Sequence, residues 1–158
     1  RRVSGNSRRL PEKMMPSLST WMECPEGKAW IHITPSREDP SQALQVFGNV
    51  SKSGTSLGAM TEALTRVISI SLQHGVPQSA ICEQLLGIRT STPVMDVIVG
   101  EELVEVLSVP DAIGKLLYRL GNPKRRITGE ICPDCGGPSL VYSAGCRGGQ
   151  CPCGYAAC

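Results

Sequence analysis

The longest regular pattern of apolar positions runs over residues 55–74 and predicts an amphipathic helix, because apolar residues recur there every three to four positions. The positions expected to face the core are Leu57, Met60, Ala63, Leu64, Val67, Ile68, Ser71 and Leu72. Gly75 and Pro77 follow directly and are expected to end this helix. A second helix is predicted over about residues 78–86, with Gly87 as its C-terminal stop.

A third helix is predicted to begin after Ser108. The Ser108 side chain suits the N-cap position, and Pro110 and Asp111 suit the first turn. The face expected to be buried consists of Ile113, Leu116, Leu117 and Leu120. Gly121 and Pro123 then interrupt the pattern, so we expect the helix to end there.

A period of two predicts strands in the first third of the chain. Residues 28–34 alternate in this way, and residues 43–47 form a second candidate strand. The proline-flanked turn residues 35–40 lie between them, which predicts a hairpin. Residues 93–107 are apolar and rich in valine, a pattern compatible with a helix or a strand, and we predict a helix there. The first 27 residues show no sustained period and are predicted to form an extended arm.

Together these elements predict an α+β fold, a small strand hairpin packed with several helices, followed by a C-terminal zinc-ribbon-like module. The expected organisation is an N-terminal arm over residues 1–27, an α+β domain over 28–121, a basic linker over 122–131 and a cysteine-rich tail over 132–158. Aromatic residues make up only 4% of the chain, so the core must consist mainly of aliphatic side chains.

Composition and charge limit the expected location and partners. No apolar run approaches the roughly 20 residues that cross a bilayer, and the arginine-rich start lacks the apolar block of a signal peptide. We therefore expect a cytoplasmic protein without a membrane partner. The net charge of +2 identifies no partner by itself. Because the chain starts at Arg1 without a methionine, we expect a fragment, a processed product or a segment of a longer protein.

Six of the eight cysteines lie between Cys132 and Cys158, and this clustering favours metal ligation or thiol exchange over a secreted disulfide framework. The segment Cys132-Pro-Asp-Cys135-Gly136 has the form of a zinc knuckle, in which two thiolates face one metal and a glycine permits the tight turn. A redox cluster without metal is the alternative. Of the outlying cysteines, Cys82 is expected in the core.

Zinc needs four ligands, so two of the six clustered thiols are left over. The last pair, Cys153 and Cys158, is separated by small residues at the chain end, which suits a mobile dithiol that exchanges with a disulfide. The alternative is that Cys153 binds zinc and that Cys146 or Cys151 is a bystander. The residues alone leave both assignments open.

Several segments resemble the C-terminal region of adenosylcobalamin-dependent (class II) ribonucleotide reductases. They are Arg9-Leu-Pro11, Gly54-Thr-Ser-Leu-Gly-Ala-Met60, Ile68-Ser-Ile-Ser-Leu-Gln-His-Gly-Val-Pro77, Ile81-Cys-Glu-Gln-Leu-Leu-Gly-Ile88 and the final Cys153-Gly-Tyr-Ala-Ala-Cys158. The segment Leu107-Ser-Val-Pro-Asp111 is similar to the Thr-Ser-Cys-Pro-Asp motif of the TSCPD domain, with Leu107 in place of threonine and Val109 in place of cysteine.

The resemblance implies a role in deoxyribonucleotide synthesis as the C-terminal or auxiliary part of a vitamin B12-dependent reductase. It implies Cys153 and Cys158 as the dithiol that re-reduces the active-site disulfide, and Cys132, Cys135, Cys146 and Cys151 as ligands of a structural zinc. Adenosylcobalamin would bind only to the catalytic barrel, for which 158 residues are too few, so we expect no activity from this chain alone. The implied partners are that barrel and a thioredoxin-like reductant.

The alternative function is a zinc-ribbon module that binds nucleic acid or protein without a redox role. The basic run Lys124-Arg-Arg126 would then contribute phosphate contacts.

Overall fold

The computed structural model describes residues 8–50, 54–123, 130–138, 140–141 and 149–157. The strands are β1 (Leu18–Cys24), β2 (Gly27–Pro35), β3 (Ala43–Val50), β4 (Val94–Val99) and β5 (Glu102–Val106), and the helices are α1 (Ser56–Gln73), α2 (Gln78–Leu85) and α3 (Val109–Gly121). The predicted α+β class is confirmed. None of the helices in the described part of the chain is long and apolar enough to cross a membrane.

A three-stranded antiparallel sheet in the order β1-β2-β3 forms one layer of the domain. The predicted hairpin of β2 and β3 is confirmed. The inner face of the sheet supplies core residues such as Ala29, Ile31 and Val46, while the residues between them point away from the core. Helix α1 packs along β3, where the Ser69 hydroxyl of the helix accepts from the Val46 backbone N–H and donates to the Val46 carbonyl at the edge of the sheet.

The N-terminal arm expected over residues 1–27 contains strand β1, which the sequence analysis missed. Cys24 pairs with Gly27, so β1 and β2 are joined by a turn of only two residues, Pro25 and Glu26. Met22 and Cys24 are buried on the core side, and the intervening residues face outward. The alternation is present in the sequence, but the two prolines at 16 and 25 hide it because proline usually marks an irregular segment.

Helix α1 has the predicted extent, with Thr55 as N-cap and His74 as C-cap, but its buried face is rotated from the predicted one. The buried residues are Thr61, Thr65, Ile68, Ser69, Leu72 and Gln73. Met60 and Val67 are instead 72% and 61% exposed. The reason is close contact with β3, where the Thr65 methyl group would lie 3.1 Å from a Cβ at Gly48, so small residues are required on the helix.

Residues 93–107 form the antiparallel hairpin β4–β5, so the helix predicted there is wrong. Val97, Val99, Val104 and Val106 are all buried, which is the alternation of a strand pair. The pairing is irregular between residues 94 and 97, and Asp96 has a positive φ of 57°. This irregularity shifts the alternation by a residue and hides it in the sequence.

Helix α3 begins as predicted. Ser108 is its N-cap, and the Ser108 hydroxyl oxygen accepts a hydrogen bond from the Asp111 backbone N–H at 3.2 Å. Helix α3 packs against α2, and its apolar face lies in the core, where it contacts β1, β4 and β5.

Candidate metal centre

Four thiols meet in the C-terminal part of the structure. The Sγ atoms of Cys132, Cys135, Cys151 and Cys153 all lie within 4.8 Å of one another. Two of the separations are 3.7 Å, between Cys132 and Cys153 and between Cys135 and Cys151. Cys132 and Cys135 lie in one turn of the chain, and Cys151 and Cys153 lie in another. Each 3.7 Å separation joins a thiol of one turn to a thiol of the other.

The first turn is built around the Cys132–Gly137 segment. The backbone N–H of Gly136 donates to the Cys132 carbonyl at 2.9 Å, and the Cys132 N–H donates to the Gly137 carbonyl at 2.9 Å. Gly136 has a φ of +67°, a left-handed conformation that glycine adopts without steric cost. This closed turn directs both thiols to one side, as the knuckle motif predicts.

The second turn repeats this arrangement with one residue fewer between the cysteines. The Gly154 N–H donates to the Cys151 carbonyl at 3.0 Å, and the Cys151 N–H donates to the Tyr155 carbonyl at 2.9 Å. Gly154 again has a positive φ, of +107°. The two turns thus use equivalent hydrogen bonds, with glycine directly after the second cysteine in each.

A small apolar cluster supports the four thiols. Cys132, Cys151 and Leu140 are buried in it, and Tyr155 packs against them. Backbone bridges pair Val141 with Gln150 and Gln150 with Ala156, which joins both sides of the second turn to the segment at Val141. The module also contacts helix α3, because a Cβ on Gly137 would lie 2.6 Å from the Tyr118 hydroxyl oxygen.

The donor set fits zinc. Four thiolates in a tetrahedron with Zn–S bonds of about 2.3 Å have sulfur atoms about 3.8 Å apart, close to the two shortest separations here. Zinc with four cysteine ligands has no open coordination position, so a metal held in this way is structural rather than catalytic. Four thiols that could bind a metal such as zinc thus lie together in this structure.

The thiols of the cluster differ in acidity. Burial acts to raise the pKa of Cys132, but backbone N–H groups of Cys135 and Asp134 and the neighbouring thiols stabilise its thiolate and lower the pKa to about 7. Burial raises the pKa of Cys151 to about 12, and burial also raises that of Cys135. A divalent cation between the four sulfur atoms would favour the thiolate form, which is the form that binds metal.

The fold before this module matches a known family. A family model described as the TSCPD domain matches residues 11–120, about seven-tenths of the chain. The chain belongs to the TSCPD domain family. No curated protein and no solved structure matches the chain. The matched region begins before β1 and ends in α3, so β1 is part of the TSCPD domain, and the four-thiol cluster follows it.

Within the TSCPD domain, the segment that resembles the family motif has a structural role. The Ser108 hydroxyl donates to the Ile88 carbonyl at 2.6 Å. The fully buried Asp111 carboxylate accepts hydrogen bonds from the backbone N–H groups of Gly87 and Leu107, both at 3.0 Å, and pairs with the fully buried Lys115. The motif therefore fixes the start of α3 to the loops around it.

The expected division of the six cysteines differs from the observed grouping. The structure includes Cys153 in the four-thiol group, as in the alternative where it is a ligand. Cys146, expected as a ligand, and Cys158, expected as the partner of Cys153, lie outside the described residues, as does the basic run 124–126. The sequence does contain a signal that places Cys153 in the ligand group. Both turns have the form Cys-Pro followed by Cys-Gly, but the second turn has one residue fewer between its cysteines, which obscures the repeat.

The two outlying cysteines belong to the core of the TSCPD domain. Cys24 and Cys82 are both buried there, as expected for Cys82. Burial raises the pKa of each thiol to about 12, and the negative charge of Glu26 adds to this effect at Cys24. Neither is part of the four-thiol group, and a neutral buried thiol is unreactive.

Proposed function

We propose that this chain is the C-terminal or auxiliary part of a vitamin B12-dependent ribonucleoside reductase. The observation that carries the proposal is a TSCPD domain followed directly by a cysteine cluster with metal-binding geometry. The TSCPD domain is found in class II ribonucleotide reductases and related proteins. The catalytic barrel of such a reductase would bind the nucleotide and adenosylcobalamin, and the present chain would act on the barrel as its partner.

In this proposal Cys132, Cys135, Cys151 and Cys153 hold one zinc ion. The support is their mutual distance and the equivalent hydrogen bonds of the two turns. A small module with so little apolar core gains much of its folding free energy from metal binding. The zinc would fix the tail in one conformation on helix α3, and it would keep these four thiols from exchange.

The same assignment leaves Cys146 and Cys158 as the thiols available for exchange, instead of the pair Cys153 and Cys158 implied by the resemblance. After each turnover the barrel holds an active-site disulfide. One thiolate of the tail attacks a sulfur of this disulfide and displaces the other as a thiolate, and the second tail thiol then releases the mixed disulfide. The barrel regains two thiols, the tail becomes a disulfide, and a thioredoxin-like reductant supplies two electrons to reduce the tail.

Serine substitution of single cysteines tests the zinc assignment. Protein purified under reducing conditions without chelators should contain one zinc per chain. The Cys153→Ser variant should lose zinc or bind it far more weakly, and Cys146→Ser, the matched control, should keep it. The reverse pattern would return Cys146 to the ligand set and Cys153 to the exchange pair.

Turnover tests the exchange step separately. In a reductase that contains this tail, thioredoxin-supported turnover should be lost in Cys146→Ser and in Cys158→Ser, while a single turnover of pre-reduced enzyme should remain. Full multiple turnover by both variants would refute the exchange proposal without affecting the zinc assignment. The zinc content of each variant, measured on the same samples, distinguishes loss of exchange from loss of the metal.

A further inference from the structure

The outer face of the three-stranded sheet carries an unusual share of the aromatic residues. Trp21 on β1 and Trp30 on β2 are direct cross-strand partners. Phe47 on β3 is paired with His32, two residues along from Trp30 and on the same face. Trp21 and Trp30 are the two tryptophans of the sequence, and Phe47 is its one phenylalanine. Each of the three residues is 49% exposed. Aromatic residues are scarce in this protein, yet these three lie outside the core.

This face, the aromatic face, is opposite the one that supplies core residues, and it offers hydrogen-bond donors as well as rings. Among the described residues, neither the indole N–H of Trp21 nor that of Trp30 has an acceptor. The indole N–H can only donate. A partner with carbonyl oxygens and apolar rings would therefore match both the chemistry and the shape of the face. The Lys28 ammonium lies 3.7 Å from the centre of the Trp21 ring, so a cation already occupies one face of that ring.

Charge and area restrict the class of partner. At the outward positions of β1 and β2 lie one glutamate and one lysine, Glu23 and Lys28, which pair at 3.9 Å. Single-stranded nucleic acid binds through several cations as well as stacked bases, and the described part of this face does not supply them. Three half-exposed aromatic side chains offer only about 200–400 Å² of surface, well below the roughly 800 Å² per partner of a stable dimer.

We propose that the aromatic face binds a proline-rich segment of another protein in the polyproline II conformation. Such segments dock between aromatic side chains, carry no charge requirement and present carbonyls to donors of the receptor. Trp30 and Phe47 are diagonal neighbours on adjacent strands, about 7–8 Å apart in backbone position. One turn of a polyproline II helix is about 9 Å long, so its proline rings recur at a similar interval.

The test uses tryptophan fluorescence, since both tryptophans of the chain lie on this face. Titration of the full chain with a ten-residue oligoproline peptide should give a saturable change in emission. The Phe47→Ala variant, which keeps both fluorophores, should weaken binding at least about tenfold, as expected for a central aromatic contact. Met60→Ala, an exposed apolar residue on α1, is the matched control and should bind like the parent.

Circular dichroism of each variant establishes that it is folded, and Phe47→Leu provides a second, more conservative replacement that should also weaken binding. Titration with a thymidine oligonucleotide tests nucleic acid as the occupant of the aromatic face. Sedimentation equilibrium of the protein alone tests a second copy of the chain. The proposal is overturned if the oligoproline peptide produces no saturable change at millimolar concentration. It is equally overturned if the oligonucleotide binds and Phe47→Ala abolishes that binding, or if the chain dimerises in a way that Phe47→Ala prevents.

Discussion

Replacement of Lys115 by methionine should destabilise the TSCPD domain far more than the loss of an ordinary ion pair. Lys115 and Asp111 are fully buried one turn apart in α3. Lys115 also donates to the Glu105 carbonyl of β5 at 2.6 Å. Methionine fills a similar volume but removes the cation that pairs with the Asp111 carboxylate. Among the described residues, the backbone N–H groups of Gly87 and Leu107 then remain as its hydrogen-bond donors.

The expected magnitude follows from the burial of both groups. Loss of one partner of a buried pair costs about 3–5 kcal/mol, because an uncompensated charge remains in the interior. For a chain of this length the melting temperature falls by about 3 °C per kcal/mol, so Lys115→Met should melt about 9–15 °C lower. The double variant with Asp111→Asn removes both charges, and its loss should be clearly smaller than the sum of the two single losses.

Urea and thermal unfolding of the two single variants and the double variant measure these values. The matched control is Glu62→Gln on α1, which breaks a pair with Arg66 at the same spacing but with side chains 59% and 73% exposed. That change should cost under about 1 kcal/mol. A cost for Lys115→Met as small as the control, or strictly additive effects in the double variant, would refute the conclusion that a buried charge pair anchors α3.

Two further predictions concern thiols and the docking of the metal module. Cys24 and Cys82 ionise near pH 9.0 in the unfolded chain, but burial raises the pKa of each folded thiol to about 12. The free energy of unfolding should therefore fall as pH rises from 9 to 12, because the unfolded state loses these protons first. Cys82→Ala should flatten this decline, and an unchanged slope would contradict the role of the Cys82 thiol. In the proposed zinc-bound form, Gly137→Ala should keep the metal but lose about 1–3 kcal/mol of stability, because the new methyl group collides with Tyr118. Unaltered hydrogen exchange in α3 would show that the module does not dock there.

The helices were predictable because their signals are local. Thr55 and Ser108 act as N-caps in the structure, and Gly75 and Gly87 follow the ends of α1 and α2 with positive φ angles. Each signal lies within a few residues of the helix end that it defines. The buried face of α1 was less predictable. Thr61 and Thr65 are buried because they pack closely against Gly48 on β3, and this contact with another element leaves no signal in the helix sequence itself.

The strands missed by the sequence analysis depend on partners that periodicity does not reveal. Strand β1 is an edge strand that pairs with β2. The two strands are connected by a turn of two residues, Pro25 and Glu26, and the pairing can be predicted only if this turn is recognised. The alternation of β4 is interrupted at Asp96, so the period of two is lost there. The apolar, valine-rich composition of this half-buried hairpin is then equally compatible with a buried helix. In the metal centre, the resemblance implies exchange for Cys153 because Cys153 and Cys158 match the C-x4-C pair at the end of the chain. The structure instead groups the Cys153 thiol with those of Cys132, Cys135 and Cys151, since the hydrogen bonds of the two turns are equivalent.

The family motif and the metal centre are connected through a single helix. Asp111 and Ser108 fix the start of α3 to the ends of α2 and β5, and two turns later the same helix presents Tyr118 to Gly137 of the first cysteine turn. A rigid α3 therefore orients the four-cysteine module relative to the sheet. In the proposed function this matters, because a tail that delivers thiols to a separate barrel would gain effective concentration at its target from a fixed attachment point.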